Sequence, residues 1–300
     1  MDRFDFLELD EGSIKTASPP GAAEEPEPSI GGWKPLRLRA VEVIGESGNG
    51  AGQFSSPTGL SADKDGAIYV VDSSNQRIQR VAMNGDVKRY GRAGDAPGEL
   101  WGPQSVAVEP LGQHFFVADQ GNNRVQCFGF NGQHRAVMNG FKSPSGVAFD
   151  PAGRLWIADT GNSRVICFDL ASGQFLGGYD KTAGLVRPIS VACSPSGKVY
   201  VVDSASQEVI CFLGADRVSQ RKLQSPQQLA LDAEGRLYVA ESGANRLHVF
   251  DAQGDSLITF DTPSSRFGAF KQPSGVTIGP NGEIYISDTL NHRILRLAWD

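Results

Sequence analysis

The chain has 300 residues and a formal net charge of −6, with 36 glycines, 17 prolines and four cysteines. Short β-branched and aromatic runs alternate with Gly, Pro, Asn and Asp, and this pattern argues against a helical solenoid. Every apolar run is far shorter than a membrane-spanning segment, so we expect no transmembrane span.

Residues 1–32 differ in composition from the rest of the chain. They contain eight acids and two bases, a net charge of −6, so residues 33–300 are neutral overall. Residues 17–32 are rich in Pro, Ala, Glu and Gly and are predicted to be disordered. The first residues contain no apolar run of seven or more, so we expect no secretory signal. We therefore predict an acidic, largely disordered tail over 1–32 and a folded region over 33–300.

A small apolar cluster interrupts the acidic tail at residues 4–9, with Phe4, Phe6 and Leu7 as its main members. One interpretation is a docking peptide that orders on a partner and is tethered by the rest of the tail. The other is an irregular start to a disordered segment. The sequence leaves both interpretations open.

Six copies of one repeat occupy the folded region. Each copy starts with a proline, has a glycine nine residues later, and continues with a short apolar run that ends in an acid. The prolines lie 38 to 47 residues apart, the spacing expected when each repeat forms one four-stranded blade of a β-propeller. The prolines are Pro57, Pro103, Pro144, Pro188, Pro226 and Pro273, and the acids are Asp72, Asp119, Asp159, Asp203, Glu241 and Asp288.

The third copy illustrates the predicted blade. Its four strands are expected at residues 145–150, 155–159, 164–168 and 174–179. The sixth copy has no residues left for a fourth strand after its third, whereas residues 41–48 align with 87–94 of the first copy. We therefore predict that an N-terminal strand completes the last blade and closes the ring, leaving no open sheet edge.

The repeat contains the motifs P-x-G-[VL]-x-x-D and G-x-[IL]-[YW]-[VI]-[AV]-D, followed by Asn three and Arg five positions past the acid. These motifs resemble the NHL repeat family of six-bladed propellers, over about residues 38–300. The resemblance implies an all-β fold: a six-bladed β-propeller of four-stranded antiparallel blades. It does not specify a function, because such propellers serve many.

The recurrent acid and arginine are interpreted as a structural clamp. A carboxylate at a strand end can accept hydrogen bonds from turn N–H groups, and a guanidinium can bind that carboxylate. In the fourth copy Glu208 replaces the arginine, and in the fifth copy Glu241 and Ala244 replace Asp and Asn. We therefore expect both blades to lose the clamp. The loss could reflect drift, or a partner could hold that face instead. The predicted clamp residues are Asp72, Arg77, Asp119, Arg124, Asp159, Arg164, Glu241, Arg246, Asp288 and Arg293.

No catalytic residue, metal site or cofactor is predicted. Lactonases and lyases on similar rings hold a metal with oxygen ligands or histidines at the channel mouth. The inner-strand entrances here contain Thr58, Gln104, Ser145, Ile189, Gln227 and Ser274 instead. The four histidines (His114, His134, His248, His292) do not share a repeat position and are interpreted as surface or turn residues.

The four cysteines are predicted to be free. Cys127, Cys167 and Cys211 share one position in separate blades, and Cys193 lies on an inner strand. Free buried thiols without a C-x-x-C motif are typical of a reducing cytoplasm.

Protein interaction is the function that we predict, with the ring as a rigid scaffold and a subunit of a larger complex as the expected context. A small-ligand or lactonase-like role at the channel mouth is the alternative, and RNA binding is a second one, disfavoured by the neutral ring. Trp101 is the first candidate contact, although it could also pack as a lid on the blade below. The candidate partner-binding residues are Trp101, Gln104, Lys142, Arg187, Gln227, Lys271, His292, Phe4, Phe6 and Leu7.

Overall fold

The computed structural model describes residues 36–110, 113–261 and 266–300. Residues Arg37–Asp300 form one compact unit, and its regular structure is mainly β-strand. The predicted tail, with Phe4, Phe6 and Leu7, lies outside the described residues. Among the residues that are described, no helix is long and apolar enough to span a membrane.

Six four-stranded antiparallel sheets form the blades of a propeller, as the sequence predicts. The described chain starts with β1 (Leu38–Ile44), β2 (Glu46–Ser47) and β3 (Gln53–Phe54). Blade one contains β4 (Pro57–Ala62), β5 (Ile68–Asp72), β6 (Arg77–Val81) and β7 (Val87–Tyr90). Blade two contains β8 (Pro103–Val108), β9 (His114–Asp119), β10 (Arg124–Gly129) and β11 (His134–Met138). Blade three contains β12 (Gly146–Phe149), β13 (Leu155–Asp159), β14 (Arg164–Asp169) and β15 (Gln174–Tyr179).

The second half of the ring has the same order. Blade four contains β16 (Pro188–Cys193), β17 (Lys198–Asp203), β18 (Glu208–Leu213) and β19 (Asp216–Lys222). Blade five contains β20 (Pro226–Leu231), β21 (Leu237–Glu241), β22 (Arg246–Phe250) and β23 (Ser256–Phe260). Blade six contains β24 (Pro273–Ile278), β25 (Ile284–Asp288) and β26 (Arg293–Trp299). The innermost strands contact one another in the cyclic order β4, β8, β12, β16, β20, β24 and back to β4, which closes the ring.

The N-terminal strand completes blade six, which confirms the predicted closure. Strand β1 pairs antiparallel with β26, with Leu38 opposite Trp299 and Ile44 opposite Ile294. Arg296 Nε lies 2.8 Å from Glu42 Oε2 across this pair. The first and last described strands therefore share one sheet, so the ring has no open edge at the point where it closes.

One-turn 3-10 helices follow the second strand in five blades, at Ser73–Asn75, Gln120–Asn122, Thr160–Asn162, Ser242–Ala244 and Thr289–Asn291. The residue after each helix adopts a left-handed conformation, with φ between 51° and 55°. In blade four the corresponding turn contains no 3-10 helix, and the helix Lys181–Ala183 lies before the blade instead.

The hydrophobic core lies between neighbouring blades. In β5, Tyr69 faces blade two, where its ring centroid lies 5.1 Å from that of Phe115. The next residue, Val70, faces blade six and packs in a cluster with Tyr285. Successive side chains of a strand point to opposite faces, so a strand between two blades is apolar throughout. All five residues of β5, β13, β21 and β25 are accordingly buried.

The predicted strand bounds in blade three agree with the structure within two residues. The second and fourth strands are as predicted, and the inner strand is shorter, Gly146–Phe149. His134, interpreted above as a surface or turn residue, is the first residue of β11, where it pairs opposite Phe128.

Candidate interaction face and channel mouth

The acid that ends each second strand is fully buried, and in five blades an arginine five positions later is paired with it. In blade one, Arg77 Nε lies 2.7 Å from Asp72 Oδ2. We call this carboxylate and guanidinium pair, with the loop that it holds, the turn clamp. The other pairs are Arg124 with Asp119 (2.7 Å), Arg164 with Asp159 (2.7 Å), Arg293 with Asp288 (2.8 Å) and Arg246 with Glu241.

The same carboxylate also holds the loop that leads into the inner strand. In every blade it accepts a hydrogen bond from the N–H of the residue two positions before the repeat proline. The donors are Ser55, Trp101, Lys142, Val186 and Lys271 at 2.7 Å, and Gln224 at 3.1 Å. One buried acid therefore joins the end of a strand to a loop on one face of the ring, and we call this surface the loop face.

The guanidinium of Arg77 adds three bonds to backbone carbonyls. Nη1 donates to Asn49 O at 2.6 Å, and Nη2 donates to Gly50 O at 2.8 Å and Gln53 O at 3.1 Å. Arg124 makes the corresponding bonds in blade two. The clamp therefore satisfies partly buried backbone carbonyl groups as well as the carboxylate, which matches a structural role.

A third polar group joins the clamp at a position that sequence reasoning missed, seven residues after the acid. Gln79 Nε2 donates to Asp72 at 3.0 Å, and Gln126 Nε2 donates to Asp119 at 2.9 Å. Both glutamines are fully buried. The signal in the sequence was a glutamine at the same offset in two consecutive copies.

His248 occupies this same position in blade five, which corrects its interpretation as a surface residue. Its side chain is buried, with Nδ1 3.7 Å from Glu241 Oε2 and Nε2 2.8 Å from Ser256 Oγ. It therefore lies beside the blade-five clamp and is not a surface histidine.

Blade five keeps its clamp, contrary to the expectation from Glu241 and Ala244. The Glu241 carboxylate is fully buried, is paired with Arg246 and accepts the Gln224 N–H. Burial raises the pKa of Glu241, but the nearby His248 ring, the Arg246 guanidinium and the Gln224 N–H outweigh it and lower the pKa to about 2. The longer side chain of glutamate thus fulfils the role that aspartate has in the other blades.

Blade four replaces the arginine of the clamp with backbone groups. Asp203 Oδ2 accepts the N–H groups of Val186 at 2.7 Å and Arg187 at 2.9 Å. Its Oδ1 accepts those of Ala205 at 3.0 Å and Ser206 at 3.2 Å. Blade four therefore lacks the carboxylate and guanidinium pair, as the sequence predicts, and four backbone N–H groups satisfy the carboxylate without a cation.

Glu208, the residue that replaces the arginine, points to a different partner. Its carboxylate lies 3.0 Å from Arg217 Nη2, so the substituted anion is paired within its own blade. Asp203 and Glu208 are opposite each other in the β17–β18 pair.

The loop of blade four is also shifted by one residue. In the other five blades, the N–H of the second residue after the acid donates to a carbonyl of the loop before the inner strand. That carbonyl belongs to the residue two positions before the proline. In blade two, for example, the Gly121 N–H donates to Trp101 O at 2.8 Å. In blade four the first residue, Ser204, donates to the carbonyl immediately before the proline, that of Arg187, at 2.9 Å. The residue before the proline has a positive φ in the other blades, but Arg187 does not.

The inner-strand entrances meet at a cavity of about 360 Å³ that is lined by residues of all six blades. It lies at the mouth of the central channel. Three of the predicted partner-binding residues, Gln104, Arg187 and Gln227, are brought together in its lining. Among the residues that the structure describes, Arg187 is the only charged side chain of this lining.

The other described candidates lie outside this lining, on the loops and turns of the loop face. Trp101 is 57% exposed, and Lys142 and Lys271 are exposed at the corresponding positions of blades three and six. His292 follows the 3-10 helix of blade six, and its Nδ1 accepts the Ser56 N–H at 3.0 Å. Phe4, Phe6 and Leu7 are not among the described residues.

The four cysteines are free, and three of them are buried. Burial raises the pKa of the Cys127 and Cys167 thiols to about 11, and it also raises the pKa of Cys193 and Cys211. Within the described residues, no group of three or more His, Cys, Asp or Glu side chains is placed to hold a metal ion.

A family model described as "NHL repeat" matches residues 54–81, 141–168 and 270–297. Each match runs from just before the repeat proline to the third strand, in blades one, three and six. The chain is a six-bladed β-propeller that contains NHL repeats. The other three blades of the propeller have the same strand order.

Relatives and solved structures agree with this assignment. Human NHL repeat-containing protein 3 is 30% identical over 130 residues, which cover 39% of this chain and 37% of that protein. Human E3 ubiquitin-protein ligase NHLRC1 is 31% identical over 105 residues, 34% of this chain and 26% of that protein. The matches thus cover little more than a third of these relatives at most. A gluconolactonase structure from Xanthomonas campestris superimposes on this chain with a TM-score of 0.66 and 15% sequence identity. The alignment covers 83% of this chain and 88% of that chain, so the two proteins share the fold.

Proposed function

We propose that this NHL propeller is a non-catalytic protein-interaction subunit that binds its partner on the loop face. The observation that supports the proposal most is Trp101, a large aromatic side chain that is 57% exposed although its backbone is held in place. Aromatic side chains dominate the binding energy of protein interfaces, above all where they are rigid before binding.

The rigidity of Trp101 comes from the turn clamp. Its N–H donates to Asp119 at 2.7 Å, and its carbonyl accepts the Gly121 N–H at 2.8 Å. A Cβ at position 121 would lie 2.3 Å from Trp101 Cδ1, so the indole packs on the backbone of Gly121. The side chain therefore rests on its own blade and still presents more than half of its surface to a partner.

The charge on the loop face favours a partner surface that is acidic around an apolar centre. The two residues before each repeat proline make up twelve positions of this face. They include Lys142, Arg187 and Lys271 and contain no acid. The apolar positions are Trp101 and Val186, which is 58% exposed. Opposite charges around an apolar contact increase specificity and association rate.

Similarity gives further support without identifying the partner. NHLRC1 is named as an E3 ubiquitin-protein ligase, an activity directed at proteins, and about a quarter of its length matches this chain. The proposal includes three further predictions. The protein belongs to a larger complex, it is located in the cytoplasm, and residues 4–9 serve as a docking peptide. The four free thiols suit a reducing compartment.

The experiment is affinity purification of the full chain from its native cells, compared with the Trp101→Ala variant. We expect a stoichiometric protein that is retained by the wild type and lost with Trp101→Ala. Phe175→Ala is the matched control, since Phe175 is 60% exposed on the outer strand β15. Equal recovery with both variants, or no stoichiometric partner, would count against the loop face as the binding surface.

Both variants are expected to have the melting temperature of the wild type, because each removes an exposed ring. RNA binding is tested with the same preparations. A shift of single-stranded RNA that weakens steeply between about 50 and 200 mM salt would favour the nucleic-acid alternative.

A further inference from the structure

Blade four has an arginine at the channel mouth, Arg187, that takes no part in a turn clamp. Five blades use an arginine in the turn clamp, whereas in blade four the buried Asp203 is satisfied by four backbone N–H groups. The backbone of Arg187 is fixed at both ends, by its N–H to Asp203 and its carbonyl to Ser204. Within the described part of the chain, the Arg187 guanidinium has neither an ion pair nor a hydrogen bond.

The surroundings of Arg187 are polar but otherwise uncharged. Gln104, Gln120 and Gln227 line the same cavity together with serine and threonine hydroxyls. Gln120 Nε2 donates to Ser145 Oγ at 2.7 Å, which leaves its Oε1 available to a ligand. The side-chain amide of Gln104 makes no hydrogen bond to any described residue. The cavity therefore presents unused donors and acceptors around a single positive charge.

The volume and the charge together limit the kind of ligand. About 360 Å³ is within the range of small-molecule sites, roughly 300–1,000 Å³. A guanidinium offers a planar pair of N–H donors that matches the two oxygens of a carboxylate. One cation in a neutral lining is best matched by a ligand with one negative charge, and the amides and hydroxyls suit a body rich in hydroxyl groups.

We propose that the channel mouth binds a small hydroxylated monocarboxylate, whose carboxylate is held by Arg187 and whose hydroxyl groups are held by Gln104, Gln120 and Gln227. This site shares Arg187 with the loop face but does not include Trp101, and it does not depend on the interaction function. The clamp arginines cannot bind such a carboxylate, because their guanidinium groups are already paired with the buried acids.

The test is isothermal titration of the full chain with three hydroxylated monocarboxylates, D-glucuronate, D-gluconate and quinate, and with D-glucose as the uncharged match to glucuronate. We expect at least one acid to bind and glucose to bind at least about tenfold more weakly, because hydrogen bonds to charged groups are the stronger ones. The Arg187→Gln variant should lose at least about tenfold in affinity for that acid.

Arg89→Gln is the matched control, because it removes one positive charge from an exposed position of the outer strand β7. It should bind like the wild type. Absence of binding by all three acids would overturn the proposal, as would equal binding of glucose or an affinity that Arg187→Gln leaves unchanged. Circular dichroism of Arg187→Gln verifies its fold, and Arg187→Lys, which keeps the charge but not the paired donors, should bind with intermediate affinity.

Discussion

The side-chain amide of Gln228 pairs with both backbone polar groups of Leu60, a residue 168 positions away in the chain. Nε2 donates to Leu60 O at 2.9 Å, and Oε1 accepts the Leu60 N–H at 3.0 Å. The same oxygen accepts the Val276 N–H at 3.2 Å. One side chain of blade five therefore connects the inner strands of blades one and six.

Gln228→Ala should destabilise the whole ring, because it removes three hydrogen bonds and leaves three backbone groups without their partner. We expect a loss of about 1–3 kcal/mol in the free energy of unfolding. Urea denaturation measures it. Gln227→Ala is the control, since the Gln227 amide makes two contacts of 3.3 Å within its own blade. Equal urea midpoints for the two variants would show that the hydrogen bonds of Gln228 between blades do not stabilise the ring.

The clamp arginines should differ in their effect on stability. Arg77 has a side chain that is 10% exposed and makes four hydrogen bonds, so Arg77→Ala removes these bonds and leaves the buried Asp72 carboxylate without its cation. We expect a loss of about 3–5 kcal/mol, as for breaking a buried ion pair. The Arg164 side chain is 38% exposed, so Arg164→Ala should cost less than half as much. Thermal and urea unfolding test the order, and a larger loss for Arg164→Ala would contradict the structural role of the buried pairs.

Glu241 should make stability depend on pH in the acidic range. Its pKa is lowered from 4.5 to about 2 in the folded protein. Above pH 4.5 the carboxyl is ionised in both states, and its contribution to stability is fully present. As the pH falls from 4.5 towards 2, the unfolded state takes up a proton that the folded state does not, so stability is lost, by about 3 kcal/mol in total.

Urea unfolding at several pH values between 7 and 3 measures this dependence. Glu241→Gln should flatten the loss below pH 4.5, because the titrating group is gone. Glu234→Gln is the control, since the Glu234 side chain is 65% exposed, and its pH profile should follow that of the wild type. An unchanged slope in Glu241→Gln would mean that other carboxylates determine the acid sensitivity.

Strand β1 should be required for the stability of the complete ring. Removing residues 1–45 exposes Leu295 and Leu297 of β26 and eliminates the Glu42–Arg296 ion pair. We expect a melting temperature at least about 10 °C lower, from the apolar surface that becomes exposed. Removing residues 1–35 leaves β1 in place and is expected to keep the wild-type melting temperature. If both truncations melt alike, closure by β1 contributes little.

Much of this protein could be predicted from one sequence, because the relevant information is local and repeated six times. The proline, glycine and acid of each copy predict strand, turn and strand without any long-range contact. The alignment of residues 41–48 with 87–94 predicts the closure, because both segments occupy the same place in a repeat. The pairing of Asp72 with Arg77 was expected for the same reason, since the two residues lie opposite each other across one hairpin.

Other features were decided only by the tertiary structure. His248 looked like an isolated residue until its place seven positions after Glu241 put it beside that carboxylate. The shift in blade four depends on which N–H groups reach Asp203, and residue types do not encode that choice in a simple way. Gln228 bonds to Leu60 because the ring brings two inner strands together across the channel. The repeated sequence by itself therefore determined the blades, their order and their closure. The channel mouth and the unpaired Arg187 guanidinium depend instead on contacts between residues far apart in the chain. These contacts exist only once the ring has closed.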